Sequence, residues 1–292
     1  MIEDLVMSEL TVIGLGAMGS AIARTLIDKQ CDLTVWNRSS EKAKSISELG
    51  ARFTDTLKQA IESSPRILIC IHGYAATRSM LDDPEIIPLL SGRTIIQMST
   101  GTPAEARAAE AWINEQGGHY LDCSIMVYPE SIGKTEGQLL ISGSQEIYHD
   151  CAPYIKNLGD DIRYLGSSIG AAAALDLAAV TRLVVNTVGV VYGAHLCESE
   201  GLPLQHFADM YPEGDRAHSL AKTIDKAEFN ENISATVGTS IEVVSAIRNL
   251  AIDLGINTEL PDFILGLYKR AAEAGYLKQD NASLINVFRG AS

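Results

Sequence analysis

Short runs of apolar and β-branched residues alternate with amphipathic segments through the first half of the chain. Each run is bounded by Gly, Pro, Ser or Asp, which is typical of strands separated by turns and helices. The predicted strands cover residues 10–13, 32–36, 66–71, 94–98 and 120–124. This alternation predicts stacked βα units around a mostly parallel sheet, that is, an α/β fold with a Rossmann-type doubly wound sheet.

The second half has a different pattern, and the change follows the Gly- and Ser-rich segment 166–170. Strand signals become rare there, and breaks at Gly, Pro and Asn separate helical segments. The predicted helices cover residues 171–200, 219–226, 239–254 and 261–274. We therefore predict an N-terminal Rossmann domain over residues 1–167, joined by a long inter-domain helix to an all-α domain over residues 168–292.

The long helix has roughly 30 residues and a length of about 45 Å. Asp176, Arg182, Asn186 and His195 lie inside its apolar stretch, so it is expected to be a buried helix of a soluble protein rather than a membrane span. Its apolar residues cover more of its circumference than one neighbouring helix would bury. This distribution predicts a homodimer.

Composition narrows the range of partners. The 292 residues include 23 basic and 37 acidic side chains, for a net charge of −14. Such a surface repels phosphate backbones and anionic lipids, so we expect neither nucleic acid nor a membrane as partner. The five cysteines are widely spaced and the acidic first residues lack the features of a leader. We therefore predict a cytoplasmic protein with free thiols and no metal site.

A glycine motif follows the first strand. Gly14, Gly16 and Gly19 form G-x-G-x-x-G, directly before a helical run. In this context the first glycine permits a tight turn, the second lets a pyrophosphate approach the backbone, and the third allows close packing of helix and strand. Leu15, Ala17 and Met18 lie between these glycines. We predict that the turn binds a dinucleotide at the N-terminus of the helix.

The end of the second strand distinguishes the two nicotinamide cofactors. An acidic residue at this position would accept hydrogen bonds from a free ribose 2′-hydroxyl. The chain has Asn37, Arg38 and Ser39 instead, with Lys42 one turn later. These groups suit a 2′-phosphate, which predicts NADPH. The alternative is that Arg38 and Lys42 are solvated surface charges.

Other candidates follow later strands. Ile71 ends the third predicted strand, and His72 follows it, where it is expected to line the cofactor groove. Ser99 and Thr100 follow the fourth predicted strand, at the edge where ligands bind in open sheets, and Thr102 is expected to cap the next helix. Asp176 lies inside an Ala-rich helix without a neighbouring cation. If the Asp176 side chain is buried, its pKa would be raised and it could act as a general acid. The alternative is that Asp176 lies on a solvated face of the helix and has no special role.

With these motifs in place, the chain resembles the β-hydroxyacid dehydrogenase and 6-phosphogluconate dehydrogenase superfamily. Within it, the chain is most similar to imine reductases and reductive aminases. The similarity extends over nearly the whole length, and its most specific part is Ser124-Ile125-Met126 with Pro129 and Ile132-Gly133. The resemblance implies NADPH-dependent hydride transfer to a C=N bond and a dimer whose helical domains interlock.

The resemblance also bears on Asp176. Hydroxyacid dehydrogenases carry a lysine six residues after the glycine that begins this helix, and this chain has Asp176 six residues after Gly170. A carboxylate stabilises the positive charge of an iminium, whereas a lysine would repel it. The predicted substrates are therefore imines, or a carbonyl with an amine, and Asp176 would orient or protonate the substrate nitrogen.

The predicted pocket lies between the carboxyl edge of the sheet and the helical domain. Its candidate residues are Met126, Tyr128 and Thr239, beside Ser99 and Thr100. Thr100 replaces an asparagine of some reductive aminases, and Thr239 replaces a glutamine. Two alternatives remain: a β-hydroxyacid dehydrogenase with an altered acid, and an NADPH-binding sensor without catalysis.

Overall fold

The computed structural model describes residues 7–290, and within this range eight strands form one mixed sheet in the order β3-β2-β1-β4-β5-β6-β7-β8. The strands are β1 (Leu10–Ile13), β2 (Leu33–Trp36), β3 (Arg52–Phe53), β4 (Arg66–Ile69), β5 (Thr94–Gln97), β6 (His119–Ile125), β7 (Gln138–Gly143) and β8 (Asp161–Tyr164). The first six strands are parallel, β7 is antiparallel to β6, and β8 is parallel to β7. The order of the first six strands is that of a doubly wound dinucleotide-binding sheet, so the predicted fold class is confirmed.

Helices cover both faces of this sheet. They are α1 (Ala17–Asp28), α2 (Ser40–Ser47), α3 (Leu57–Glu62), α4 (Gly73–Leu81), α5 (Pro103–Glu115) and α6 (Gln145–Ile155). Successive strand residues point to opposite faces, so Val12 of β1 belongs to the core under α1, α2 and α6, and Ile13 belongs to the core under α3, α4 and α5. Each face of the sheet therefore has its own apolar layer.

The five predicted strands are confirmed with small changes of boundary, but β3, β7, β8 and α6 are additional. Strand β3 has two residues, which is too short for a hydrophobic period to be visible in the sequence. Strands β7 and β8 extend the sheet beyond β6. Pairing with β6 decides the strand state of residues 138–143, because a short apolar run by itself is ambiguous.

The long helix α7 (Ala171–Ser199) crosses the division of the chain into two compact units. We predict a boundary at 167/168, and the structure divides the chain between Asp176 and Leu177. The first turns of α7 belong to the first unit because they are bonded to its sheet. The Ala172 N–H, for example, donates to the Ser142 hydroxyl at 3.2 Å.

Within one chain, helix α7 is only partly buried. By length and composition α7 would pass for a membrane span, and only 33% of its most apolar window is buried within the chain. Leu175, Val185, Tyr192 and Leu196 are exposed. Only part of the helix circumference packs against the rest of the chain, which leaves these apolar side chains uncovered.

The second unit consists of the rest of α7 with α8 (Leu204–Ala208), α9 (Arg216–Lys226), α10 (Val237–Asp253), α11 (Glu259–Ala271) and α12 (Ile285–Arg289). Among its described residues, β pairing is limited to one bridge between Thr236 and Asp280, so the all-α prediction is confirmed. Helices α9 and α10 begin two or three residues earlier than predicted. Asp215 and Thr236 cap them by accepting backbone N–H bonds from Ala217 and Thr239.

Candidate functional site

The glycine turn after β1 has the geometry that the motif predicts. Gly14 has a φ of +92°, and a Cβ there would lie 2.4 Å from the Cys70 carbonyl oxygen. A Cβ on Gly19 would lie 1.9 Å from the Gly14 carbonyl oxygen. Gly14 and Gly19 are therefore required by the packing of the turn itself.

Gly16 differs, because a Cβ there would meet no atom within 4 Å. Gly16 is exposed and caps the N-terminus of α1 without a side-chain hydrogen bond. The first helical bond joins the Ser20 N–H to the Gly16 carbonyl at 2.9 Å. The N–H groups of Ala17 and Met18 lie before this bond, at the start of the helix, where N–H groups have no carbonyl acceptor within the helix. An open glycine at a helix N-terminus fits the pyrophosphate of a dinucleotide. The neighbouring Leu15 side chain is buried in the core.

Asn37 connects this turn to the end of β2. Its side-chain oxygen accepts the Leu15 N–H at 2.9 Å, and its amide group donates to the Ser39 carbonyl at 3.0 Å. Arg38, Ser39 and Lys42 are exposed beside it. Asn37 therefore holds the backbone of both loops, while the two cationic side chains face solvent where the adenosine ribose of a dinucleotide would be bound.

The ends of β4 and β5 meet through Ser99. Its hydroxyl donates to the Ile71 carbonyl at 2.7 Å and accepts from the Gln97 amide at 2.7 Å. Ser99 is buried, whereas His72 and Thr100 are exposed at the same edge. Both hydrogen bonds of the Ser99 hydroxyl are therefore made within the protein, and they hold the ends of β4 and β5 together. Thr102 caps α5 in a capping box with Glu105, which confirms the predicted cap.

Asp176 is buried, with 5% of its surface exposed. Burial raises its pKa from 3.8 to about 6, and a hydrogen bond from the Ser124 hydroxyl opposes this shift. The alternative of a solvated helix face is therefore excluded. Near neutral pH such a carboxyl exchanges a proton readily, as acid–base chemistry requires.

A second buried carboxyl, Asp122 on β6, was not identified from the sequence. It is 0% exposed and accepts a short hydrogen bond from the Tyr74 hydroxyl of α4. Burial raises its pKa to about 7; the bonds from Tyr74 and from the Ala173 N–H oppose the shift, and the charge of Asp176 adds to it. The sequence signal for it is an acidic residue inside an otherwise apolar strand, which is unusual without a partner.

The remaining predicted pocket residues lie apart in the chain. Met126 and Tyr128 follow β6, where Met126 is half-buried and Tyr128 is exposed. Thr239 belongs to the second unit, where its N–H and hydroxyl both bond to the Thr236 hydroxyl at 3.0 Å. Within residues 7–290, no group of three His, Cys, Asp or Glu side chains is arranged to hold a metal ion.

Two family models match successive parts of the chain. Residues 9–166 match the NAD binding domain of 6-phosphogluconate dehydrogenase, and residues 168–290 match the NADPH-dependent reductive aminase-like C-terminal domain. An NADPH-dependent reductive aminase from Aspergillus oryzae is 26% identical over 95% of this chain and 96% of its own.

Solved structures are similar over almost the same extent. A reductive aminase from Aspergillus terreus, in complex with NADPH and ethyl levulinate, is 30% identical, with a TM-score of 0.66 over 97% of this chain and 100% of its own. An imine reductase from Myxococcus stipitatus, in complex with NADP+, is 27% identical, with a TM-score of 0.66 over 96% and 99% of the two chains. A 3-hydroxyisobutyrate dehydrogenase from Salmonella typhimurium shares the fold, with a TM-score of 0.85 at 17% identity over 96% and 100%. The chain therefore belongs to the 6-phosphogluconate dehydrogenase-like oxidoreductases, in which an NAD(P)-binding domain is followed by a reductive aminase-like C-terminal domain.

Proposed function

We propose that the protein is an NADPH-dependent imine reductase, which reduces C=N bonds to amines and accepts a carbonyl with an amine as the source of the imine. The observation that carries this proposal is Asp176. It places a buried carboxyl at the position where the resembling hydroxyacid dehydrogenases carry a lysine. A carboxylate favours a cationic iminium, whereas the alcohol and carbonyl pair of a hydroxyacid dehydrogenase is served by a lysine.

The choice of NADPH rests on the end of β2. Arg38 and Lys42 are exposed there, and residues 36–39 include no acid. Two cations beside a ribose favour a 2′-phosphate over a free hydroxyl. The open Gly16 and the N-terminus of α1 would hold the pyrophosphate. When bound, NADPH supplies the hydride for the reduction.

The protein's own part in the reaction centres on Asp176. With a pKa of about 6, its carboxyl is mostly ionised at neutral pH and still close enough to protonation to deliver a proton. The Ser124 hydroxyl donates to this carboxyl and favours its ionised form. Asp176 would thereby hold the cationic nitrogen in place and supply its proton.

We further infer that two copies of the chain associate through α7. The exposed apolar side chains Leu175, Val185, Tyr192 and Leu196 leave an uncovered surface on this helix, and a second copy would remove it from water. Sedimentation of the purified protein tests this point, and a monomer at micromolar concentration would contradict it.

The proposed activity is tested by the loss of NADPH absorbance with a small cyclic imine, with NADH and an imine-free sample in parallel. Rapid oxidation that requires both NADPH and the imine is the expected result. Oxidation of a hydroxyacid with NADP+, without imine reduction, would instead indicate a hydroxyacid dehydrogenase. Tight NADPH binding without turnover on imines or carbonyls would indicate a sensor protein.

A further inference from the structure

A cavity of about 210 Å³ lies between helices α4 and α5, over strands β5 and β6. Ala75 of α4 and Ala108 and Ala109 of α5 line it, and these small side chains leave the space between the two helices open. Ala75 and Ala108 are exposed at its rim, whereas Ile95 and Gln97 of β5 are fully buried at its floor. The cavity therefore leads from the surface of the first compact unit down to the sheet.

Gln97 brings an unpartnered acceptor to the floor of this cavity. Its side-chain NH2 group donates to the Thr77 hydroxyl at 3.0 Å and to the Ser99 hydroxyl at 2.7 Å. These two hydroxyls donate in turn to the carbonyls of Gly73 and Ile71, so neither has a second proton for the Gln97 Oε1. The Oε1 atom is buried and has no hydrogen-bond partner. A buried acceptor of this kind is costly unless a bound molecule supplies a donor.

Tyr120 of β6 lines the same cavity and is 3% exposed. Its hydroxyl is buried without a hydrogen bond of normal geometry, because the hydroxyl of Tyr74 beside it donates to Asp122. Ile95 is the register partner of Tyr120 and lies two residues before Gln97 on β5, so Gln97 and Tyr120 point to the same face of the sheet. The floor therefore presents one carbonyl oxygen and one hydroxyl group.

The charged residues that line the cavity, Arg78 and Glu105, are exposed at its rim and have partners within the protein. The Arg78 guanidinium carbon lies 3.9 Å from the centre of the Trp112 ring, and its Nε donates to Asp82 at 3.3 Å. The Glu105 carboxylate accepts the N–H and the hydroxyl of Thr102. The buried part of the lining is uncharged, and an ion would lose its hydration there without gaining an opposite charge. The cavity therefore suits a neutral molecule.

The size and the lining of the cavity define the chemistry of its ligand. An apolar cavity of about 150 Å³ holds a benzene molecule, so 210 Å³ accommodates a ring with one or two small substituents. The rings of Tyr74, Trp112 and Tyr120 line it and favour an aromatic ligand. A hydroxyl group both donates and accepts, which complements Gln97 and Tyr120.

We propose that this cavity is a second binding site, for a neutral monocyclic aromatic molecule that carries a hydroxyl group. The residues that line it include none of those predicted to bind the cofactor or the imine. Water bonded to Gln97 and Tyr120 would leave the rest of the cavity facing apolar side chains, where water lacks hydrogen-bond partners. An aromatic ring displaces that water and buries its own apolar surface.

The site is tested by titrating the full chain, labelled with carbon-13 at its isoleucine methyl groups, with p-cresol. Ile95 and Ile113 line the cavity, whereas Ile46 belongs to the core on the other face of the sheet; substitution of each by Val assigns its resonance. We expect saturable shifts of Ile95 and Ile113 with a Kd of about 1 mM or below, a reasonable affinity for so small a ligand, and an unchanged Ile46. Absence of saturable shifts at Ile95 and Ile113 would overturn the proposal.

Two other ring compounds test the chemical class of the ligand. In p-xylene a methyl group replaces the hydroxyl of p-cresol at nearly the same shape, and a purely apolar cavity would bind p-xylene more tightly. We expect p-cresol to bind about 5-fold more tightly, because its hydroxyl bonds to the buried polar groups. Benzoate carries a charge and is expected not to bind measurably. Tighter binding of p-xylene or of benzoate than of p-cresol would overturn the proposed ligand class.

Matched substitutions on α5 test the location of the site. Ala109→Leu extends a side chain into the cavity and is expected to weaken p-cresol binding by about 10-fold or more, since it occupies the space of the ring. Ala108→Leu serves the same purpose if Ala109→Leu fails to fold. Ala111→Leu is the control, because Ala111 is exposed on the same helix and does not line the cavity. Unchanged p-cresol affinity in the cavity-filling variant would place the ligand elsewhere and overturn the proposal.

The last measurement separates this site from the cofactor site. The shifts of Ile95 and Ile113 by p-cresol are expected to persist with saturating NADPH, because the two ligands contact different residues. Displacement of p-cresol by NADPH would overturn a separate site. The result does not depend on imine reduction: p-cresol binding in a protein that reduces no imine would overturn the proposed function and leave the second site established.

Discussion

The side-chain oxygen of Asn37 accepts the backbone N–H of Leu15 at 2.9 Å, which joins the end of β2 to the glycine turn after β1. These two residues are 22 positions apart in the chain, and their loops would bind adjacent parts of the same dinucleotide, the pyrophosphate and the adenosine ribose. The side-chain NH2 group of Asn37 donates a second hydrogen bond, to the Ser39 carbonyl. One carboxamide thus fixes the spacing between the pyrophosphate turn and the loop that carries Arg38.

Replacing Asn37 tests this connection. Asn37→Ala removes both hydrogen bonds, together worth about 2 kcal/mol, so NADPH and NADH should both bind up to roughly 30-fold more weakly. Asn37→Asp keeps an acceptor for the Leu15 N–H but adds a negative charge, so it should weaken NADPH alone. Fluorescence titration with each cofactor measures both effects. Equal losses for both cofactors in Asn37→Asp would contradict the assignment.

Arg38 should determine the preference between the two cofactors. Arg38→Glu replaces an attraction for the 2′-phosphate by a repulsion, and a charge-assisted bond of about 1.5–3 kcal/mol corresponds to roughly a 10- to 100-fold loss of NADPH affinity. Affinity for NADH should stay within about twofold by the same reasoning, since NADH lacks the phosphate. Lys44→Glu is the control, because Lys44 is an exposed cation at the far end of α2. An unchanged ratio in Arg38→Glu would refute the interpretation of this loop.

Gly14 and Gly16 should respond differently to the same substitution. Gly14→Ala places a Cβ 2.4 Å from the Cys70 carbonyl at a positive φ, which should cost about 2 kcal/mol or more of stability and lower the Tm by several degrees. Gly16→Ala meets no protein atom, so its Tm should stay close to wild type while NADPH binding weakens about 10-fold, because the pyrophosphate needs the bare backbone. Calorimetry with cofactor titration separates the two. Wild-type affinity in Gly16→Ala would place the pyrophosphate elsewhere.

Asp176 should be required for turnover and not for cofactor binding. Asp176→Ala is expected to lower kcat by about 100-fold or more, since it removes both the charge and the proton source. The affinity for NADPH should remain within about twofold, the scatter expected for a group that does not touch the cofactor. Asp161→Ala, on an exposed edge of the same unit, is the matched control. Wild-type turnover in Asp176→Ala would remove this residue from the mechanism.

Stability should fall as the pH rises through the range in which Asp176 ionises. Its pKa of about 6 in the folded protein exceeds the ordinary 3.8, so the folded state holds the proton more tightly than the unfolded chain. The difference corresponds to about 3 kcal/mol at about 1.4 kcal/mol per pKa unit, present near pH 4 and lost by about pH 7. Asp176→Asn does not titrate and should lose less stability than wild type over this range. Urea unfolding across pH measures the difference, and parallel curves would contradict a buried, raised Asp176.

Asp161 is a control for the same unfolding measurements, because its pKa is shifted down whereas that of Asp176 is shifted up. Hydrogen bonds from Arg163 and Gln138 lower the pKa of this exposed carboxyl to about 2. Its contribution to stability is lost only as the pH falls through the acid range. Asp161→Asn should therefore follow the pH dependence of wild type from about pH 5 to 8.

Local chemistry explains what could be predicted before the structure. The positions of Gly14, Gly16 and Gly19 after an apolar run define the dinucleotide turn because the strand, turn and helix are adjacent in sequence. The all-α second unit follows from the same logic, since helical periodicity and Gly, Pro and Asn breaks are local signals. Asp176 was a candidate because an acid without a partner stands out in an Ala-rich helix.

Contacts between residues distant in sequence decided the rest. Strand β7 exists through its pairing with β6, and the Ser99 hydroxyl is occupied because folding brings it to the Ile71 carbonyl. Asp122 is buried because the fold brings the Tyr74 hydroxyl, 48 positions away, against its carboxyl. The sequence by itself determined the elements and the chemical character of the cofactor loops, because these depend on neighbours along the chain. Only the tertiary structure decided which carboxyls are removed from water, because burial depends on neighbours in space.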